Sequence, residues 1–245
     1  MVGLSLYDGL LVFLLCGIAA LIQGSAGIGF SMFVMAFAPM VMPYTLAANI
    51  NRVTGLTVAV VGLWQYRHSI RSKKVAIPVL ASLLTSILGV RMFQLVDEMV
   101  LKRALGIFLL VMVAVSLLLQ RKKIILRANW FVGAIFGALA GFASGIFNVL
   151  GPILAVYYMA ISENSREYRS SLNLSFVVLS LWINLLYQVQ TGYTAAEWMY
   201  GLLGTVSCAI GLVISKSWTS SLDKEKVACM MYGIIAVMAI CMLLI

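Results

Sequence analysis

Residues 23–30 read Gln-Gly-Ser-Ala-Gly-Ile-Gly-Phe, and residues 141–152 read Gly-Phe-Ala-Ser-Gly-Ile-Phe-Asn-Val-Leu-Gly-Pro. These glycine-rich stretches occupy matching positions in two hydrophobic halves, since Gly24 and Gly145 are 121 residues apart in a chain of 245. Lipid cannot hydrogen-bond an irregular backbone, so such breaks are tolerated only where protein or a water-filled cavity satisfies them. Paired breaks at corresponding positions are typical of a transporter's binding site.

The composition indicates an integral membrane protein. Hydrophobic residues make up 63% of the chain and charged residues only 10%, which is too few for the polar surface of a soluble domain. Apolar spans of about 20 residues recur along the chain, so we predict one polytopic domain with the lipid bilayer as a partner. The first span, residues 4–22, has no basic residue before it and is interpreted as a retained span, not a signal peptide.

The hydropathy pattern predicts ten apolar segments, five in each half. They cover residues 4–22, 29–42, 46–66, 75–95, 100–119, 130–145, 149–161, 172–190, 197–215 and 227–245. We therefore predict an all-α membrane fold with broken helices. Residues 1–125 form a first repeat, and residues 126–245 form a second, inverted repeat.

The loop charges predict the orientation. Basic residues cluster after the third, fifth, seventh and ninth segments: Arg67, Arg71, Lys73, Lys74, Arg121, Lys122, Lys123, Arg127, Arg166, Arg169, Lys216, Lys224 and Lys226. Loops after odd-numbered crossings share one side, and the positive-inside rule places that side in the cytoplasm and both termini outside it. The net charge of +9 thus reflects membrane orientation, and we expect no nucleic-acid partner.

The two short segments point to an anion site. They have 14 and 13 residues, about 20 Å of helix against a hydrocarbon core of about 30 Å. Their N-terminal ends would present free N–H groups and a partial positive charge. The candidate substrate-binding residues at the breaks are Gln23, Gly24, Ser25, Gly27, Gly29, Ser144, Gly145, Asn148 and Gly151. The alternative is that the glycines are packing positions between helices.

A second group of candidates lies in the third and eighth segments. Arg52 is about two turns into the third segment, where a charge is costly unless it is paired or faces a polar cavity. It either binds an anion there or extends its guanidinium to the membrane interface. Asn49, Asn51 and Asn173 would add uncharged hydrogen bonds to a substrate; hydrogen bonding between helices is the alternative.

The pattern offers no catalytic, cofactor or metal set. The eight carboxylates fall at segment ends or in loops, and the only histidine, His68, is in a basic loop. The four cysteines lie in apolar spans without metal-ligand spacing. Phosphate-loop and hydrolase motifs are also missing. We therefore expect a protein that is not an enzyme and needs no cofactor.

The two glycine motifs and their placement resemble the TauE/SafE sulfite exporter family of bacterial membrane transporters. The resemblance implies transport of small sulfur-containing anions such as sulfite, sulfonates or sulfoacetate, usually outward, across the bacterial inner membrane. The second motif has Asn148 where the first has Gly27. The two sides of the site are therefore not expected to be equivalent.

Together these observations predict a secondary transporter that works by alternating access at a midplane site between the two breaks. The alternatives are a passive anion channel and an integral membrane enzyme. A coupling ion, either a proton or sodium, and assembly into a homo-oligomer are compatible with this prediction.

Overall fold

The computed structural model describes residues 6–67, 72–121, 129–218 and 224–244, which form ten α-helices and no strand. The helices are α1 (Leu6–Ala26), α2 (Phe30–Val41), α3 (Tyr44–Tyr66), α4 (Ser72–Leu95), α5 (Glu98–Arg121), α6 (Trp130–Phe147), α7 (Pro152–Ile161), α8 (Ser165–Gln190), α9 (Ala195–Trp218) and α10 (Lys224–Leu244). The predicted all-α fold is confirmed. The predicted boundary at 125/126, His68, Arg71, Lys122, Lys123 and Arg127 lie outside the described residues.

One predicted boundary was wrong by two turns. Helix α8 begins at Ser165 rather than at 172, because Asn164 caps it: its side chain accepts hydrogen bonds from the backbone N–H groups of Arg166 and Glu167 at 3.1 and 2.9 Å. The polar residues after this cap were interpreted as loop, although they form the first turns of the helix.

Seven of the described helices are long and apolar enough to cross a membrane: α1, α3, α4, α5, α6, α8 and α9. Large apolar side chains such as Leu84 and Val213 are about 70% exposed on them, which suits a surface that faces lipid. Helices α2 and α7 have only 12 and 10 residues, about 18 and 15 Å at 1.5 Å per residue.

Helices α1 and α9 pack in parallel along a seam of small residues. From the N-terminal to the C-terminal end of α1, Gly9, Gly17 and Gly24 face Leu203, Ser207 and Ser215 of α9 in that order. The Ser207 hydroxyl donates a hydrogen bond to the backbone oxygen of Phe13. Small residues let two helix backbones approach closely, as is usual between membrane helices.

Helices α4 and α6 form a second parallel seam. Here Gly137, Gly141 and Gly145 of α6 face Pro78, Ser82 and Ser86 of α4 in the same order. The hydroxyls of Ser82 and Thr85 donate to the backbone oxygens of Gly137 and Ala138 at 2.7 and 2.8 Å. Each seam therefore joins a helix from the first half of the chain to one from the second half.

Helices α3 and α8 cross the centre of the bundle in antiparallel directions. Gly62 of α3 faces Asn173 of α8, and the Arg52 backbone oxygen accepts a hydrogen bond from Asn184. We name the two ends of the bundle by residues found there. At the Asp8 end, Asp8, Pro43 and Tyr200 line one cavity, and at the Lys74 end, Lys74 contacts Ile161 and Glu167.

Candidate functional site

The first glycine break joins α1 to α2. Gly27 and Gly29 have φ angles of +88° and +114°, which side-chain-bearing residues rarely adopt. The Gln23 amide bridges this turn: its nitrogen donates to the Gly27 oxygen at 3.4 Å, and its oxygen accepts from the Phe30 N–H at 3.0 Å. Gln23 thus satisfies one of the free N–H groups at the start of α2.

The second break joins α6 to α7 and is held by α3. Asn148 has φ +54°, and Gly151 has φ +126°. The Asn148 side chain donates to the Ala48 backbone oxygen, and its own backbone oxygen accepts from the Asn51 side chain at 2.7 Å. This exchange fixes the second break against the first turns of α3.

Residues from both breaks line one small cavity at the centre of the bundle. Its lining residues are Gln23, Phe30, Ser31, Gly55, Val58, Ala59, Leu150 and Phe176. The cavity has about 10 Å³ of space, which is room for about one water molecule. The breaks therefore approach each other beside the middle of α3, separated by little free volume.

The other break residues lie in helix contacts. A Cβ on Gly24 would overlap the Ser215 side chain, and one on Gly145 would lie 2.6 Å from the Ser86 oxygen. Ser25 is buried and donates to the Leu21 backbone oxygen at 3.0 Å, and Ser144 is also buried. These positions favour the packing alternative for Gly24 and Gly145.

Arg52 is the centre of a different site, nearer the Asp8 end. Its side chain is 1% exposed, so the guanidinium is enclosed by protein and does not extend to the surface of the bundle. Its Nη1 donates to Oδ1 of Asn49, and its Cζ lies 4.5 and 4.3 Å from the ring centroids of Phe93 and Tyr187. Among the described residues, Nε and Nη2 of Arg52 have no hydrogen-bond partner.

Asn49 links this guanidinium to a buried carboxylate. Its Nδ2 donates to Oε1 of Glu197 and, at 2.8 Å, to the Tyr187 hydroxyl. Glu197 is 8% exposed, and its Oε2 accepts from the backbone N–H and the hydroxyl of Thr194 at 2.7 and 2.8 Å. Thr194 and Glu197 form a capping box at the start of α9, so Glu197 has a fixed place.

A neutral network supports the backbone beneath Arg52. Asn184 donates to the Arg52 oxygen at 3.2 Å and accepts from the Tyr193 hydroxyl at 2.7 Å. Burial raises the pKa of the Tyr193 hydroxyl to about 12, so this group stays protonated and donating near neutral pH.

An open vestibule at the Asp8 end leads towards Arg52. Its volume is about 310 Å³, and its walls are Tyr44, Thr45, Phe93, Gln94, Val96, Glu98, Leu101, Tyr187 and Thr191. The Phe93 and Tyr187 rings both line this space and flank the guanidinium, with their centroids 6.2 Å apart. They therefore separate Arg52 from the vestibule. Tyr44 lies beside these rings, with its ring centroid 5.9 Å from that of Phe93, and its buried hydroxyl has no partner in the described part of the chain.

The structure thus divides the predicted site residues into groups. Asn49, Arg52, Asn51 and Asn148 are linked by contacts around the first turns of α3. Asn173 is apart from them, since its amide donates to the Arg169 backbone oxygen at 2.8 Å and faces Gly62. The sequence did not identify Phe93, Tyr187, Tyr193 or Glu197. Only Glu197 has a readable signal, the Thr-x-x-Glu capping pattern.

No group of three or more His, Cys, Asp or Glu side chains that could hold a metal ion occurs within the described ranges. The site instead offers a buried cation with two unpartnered donor nitrogens, an unpartnered tyrosine hydroxyl and a vestibule of small-molecule size. Such an arrangement suits an anion.

Apolar helices of membrane-spanning length and a polar site between them define a multi-pass helical membrane protein. The chain belongs to the sulfite exporter TauE/SafE family, whose family model matches residues 12–242. This confirms the resemblance carried by the two glycine motifs and places the protein in a family of transporters. Neither the curated proteins nor the solved structures compared with the chain gave a match.

Proposed function

We propose that this protein is a secondary transporter that moves sulfite or an organosulfonate out of the bacterial cell, with Arg52 as its substrate-binding cation. The observation that carries the proposal is the fully buried guanidinium with Nε and Nη2 unpartnered. A buried, incompletely bonded charge is costly, and a protein that keeps one has a use for it.

The geometry of the free donors favours an oxyanion. Nε–H and Nη2–H point in parallel from one edge of the guanidinium, and two oxygens of a sulfite or sulfonate group can accept from both at once. The unpartnered hydroxyl of Tyr44, whose ring lies 5.9 Å from the Phe93 ring that contacts Arg52, offers one further donor. Asn49 occupies Nη1 and so leaves this edge for the substrate.

We infer that residues 1–125 and 126–245 are inverted repeats. The helix contacts support this, because the first helix of each half packs in parallel on the fourth helix of the other half: α1 on α9 and α6 on α4. The central helices α3 and α8 begin at Tyr44 and Ser165, which are 121 residues apart, the same offset as Gly24 and Gly145. In this register Asn173 occupies the position equivalent to Arg52.

The two ends of the bundle support alternating access. At the Lys74 end, Lys74 bonds Glu167 at 2.9 Å, lies 3.6 Å from Glu163 and donates to the Ile161 oxygen at 3.3 Å. These contacts hold α4 of the first half against α7 and α8 of the second, while the Asp8 end has the vestibule. Under the positive-inside rule, the basic residues at the Lys74 end support a cytoplasmic position for that end. Both termini and the vestibule are then outside it.

The test is counterflow in proteoliposomes. Proteoliposomes that contain the purified protein and are preloaded with unlabelled sulfite or isethionate should accumulate the labelled anion from outside. Vesicles with a passive channel would not. Arg52→Gln should reduce this exchange at least tenfold, since each lost charge-assisted hydrogen bond costs about 1.5–3 kcal/mol. Arg52→Lys should be impaired as well, because lysine keeps the charge and loses the paired donors.

Arg91→Gln is the matched control, because Arg91 is exposed on α4. It should transport like the unmodified protein. Unchanged exchange in Arg52→Gln, with normal amounts of folded protein, would remove Arg52 from the substrate site.

A further inference from the structure

Glu197 is the buried carboxylate nearest to the proposed anion site. A single amide side chain, that of Asn49, lies between it and Arg52, accepting from the guanidinium and donating to Oε1 of Glu197. The guanidinium of Arg52 is therefore linked through one side chain to a fixed carboxylate on its Nη1 side.

The capping box keeps this carboxylate in place. Asn49 and the two donors of Thr194 give it three hydrogen bonds, from groups on α3 and at the start of α9. The other acid near the vestibule, Glu98, differs, because Lys102 pairs with it at 2.9 Å and the Tyr44 N–H donates to it. The charge of Lys102 thus compensates the charge of Glu98. Glu197 has no lysine partner among the described contacts, so its charge acts on Arg52 and on any anion bound there.

The charges around the Arg52 edge have a direct effect on binding. Arg52 and Glu197 carry one charge each, so the empty site is close to neutral. At an effective dielectric constant of about 20, one unit charge changes the binding of another by roughly 10- to 30-fold when the two are about 8 to 12 Å apart. A doubly charged anion experiences this repulsion twice, and a singly charged anion experiences it once.

We propose that Glu197 is a specificity-determining residue that makes the site accept singly charged sulfonates and reject doubly charged ones. The inference rests on the proposed function and narrows its substrate class. Isethionate, with one sulfonate and one hydroxyl, then fits the site. Sulfoacetate, of similar length but with a carboxylate in place of the hydroxymethyl group, is a poor substrate.

The test compares these two sulfonates by counterflow in proteoliposomes made from the full chain. Glu197→Gln removes the charge and keeps the capping box, because glutamine serves at that position as glutamate does. The variant should raise the sulfoacetate-to-isethionate ratio of transport efficiency by roughly 10- to 30-fold. Glu197→Asp keeps the charge and should stay close to the unmodified ratio. Glu163→Gln, a change at an exposed residue of the Lys74 end, should leave the ratio unchanged.

The outcomes separate the two proposals. If the unmodified protein exchanges neither sulfonate nor sulfite, the proposed function is wrong, and this inference is wrong with it. If isethionate is exchanged but Glu197→Gln leaves the ratio unchanged, only the role of Glu197 is refuted.

A competition assay covers the case in which the variant does not fold. In the unmodified protein, methanesulfonate should inhibit isethionate exchange at concentrations where sulfoacetate does not. Equal inhibition by the two would overturn the inference without any variant.

Discussion

Replacing Tyr44 by phenylalanine should stabilise the protein and weaken its anion binding at the same time. The Tyr44 side chain is fully buried, and its hydroxyl has no partner in the described part of the chain. Removing an unsatisfied buried hydroxyl relieves a desolvation penalty of about 1–3 kcal/mol. If that hydroxyl donates to the bound anion, its loss also costs about 1.5–3 kcal/mol of binding, or roughly 10- to 100-fold in affinity.

Two buried tyrosines provide matched controls. The Tyr200 hydroxyl is also unpartnered, but Tyr200 lines the separate cavity beside Asp8, so Tyr200→Phe should gain stability without losing affinity. The Tyr158 hydroxyl shares a 2.7 Å hydrogen bond with Ser175. Tyr158→Phe should therefore lose about 1 kcal/mol of stability.

The measurements are thermal unfolding of the purified proteins in detergent and the KM for isethionate in proteoliposomes. A Tyr44→Phe protein that is more stable and has an unchanged KM would show that the hydroxyl does not reach the substrate. A less stable one would show that the hydroxyl has a partner in the folded protein. The first result would refute the role of the hydroxyl in binding, and the second would refute its unpartnered state.

Two further predictions follow from the breaks and from the Lys74 end. Asn148→Ala should unfold at a lower temperature than Asn148→Gly. Both variants lose the hydrogen bond to Ala48, but only alanine is destabilised, by about 1 kcal/mol, in the left-handed backbone conformation. Equal unfolding temperatures would contradict the role given to the φ of +54° at this position. Lys74→Gln should loosen the contacts to Glu167 and speed the labelling of a cysteine at Ser31 by a membrane-impermeant reagent added on the Lys74 side, in a background without native cysteines. A labelling rate equal to that of the same protein with Lys74 intact would show that these contacts do not close that end.

The fold was largely readable from the sequence because lipid imposes a simple rule. A helix that crosses the bilayer needs about 20 apolar residues. The two short segments, residues 29–42 and 149–161, stood out for that reason. The exception was the start of α8, where Asn164 begins a helix with polar turns that hydropathy assigns to a loop.

The site was only partly readable. Arg52 was identifiable because a charge deep in an apolar span is rare. Phe93 and Tyr187 were not, since an aromatic residue in an apolar span has the same pattern whether it faces lipid or a cation. Gly24 and Gly145 carried the motif, yet the packing of α1 on α9 and of α6 on α4 decides what they contact. That packing depends on the tertiary arrangement rather than on local sequence.

The two seams also determine which parts of the protein can move as units. At Gly145 an added Cβ would lie 2.8 Å from the Gly89 Cα, so α4 and α6 are interlocked backbone to backbone. Sliding one helix of such a pair along the other would bring larger side chains against the opposite backbone, and α1 and α9 approach as closely at Gly211, where an added Cβ would lie 2.4 Å from the Gly17 oxygen. In the alternating-access cycle proposed above, we therefore expect each rigid body to combine helices from both halves of the chain, with the hinges in the glycine turns between α1 and α2 and between α6 and α7. Under the proposed inverted repeat, the unit that is repeated in the sequence and the unit that moves in transport are different sets of helices.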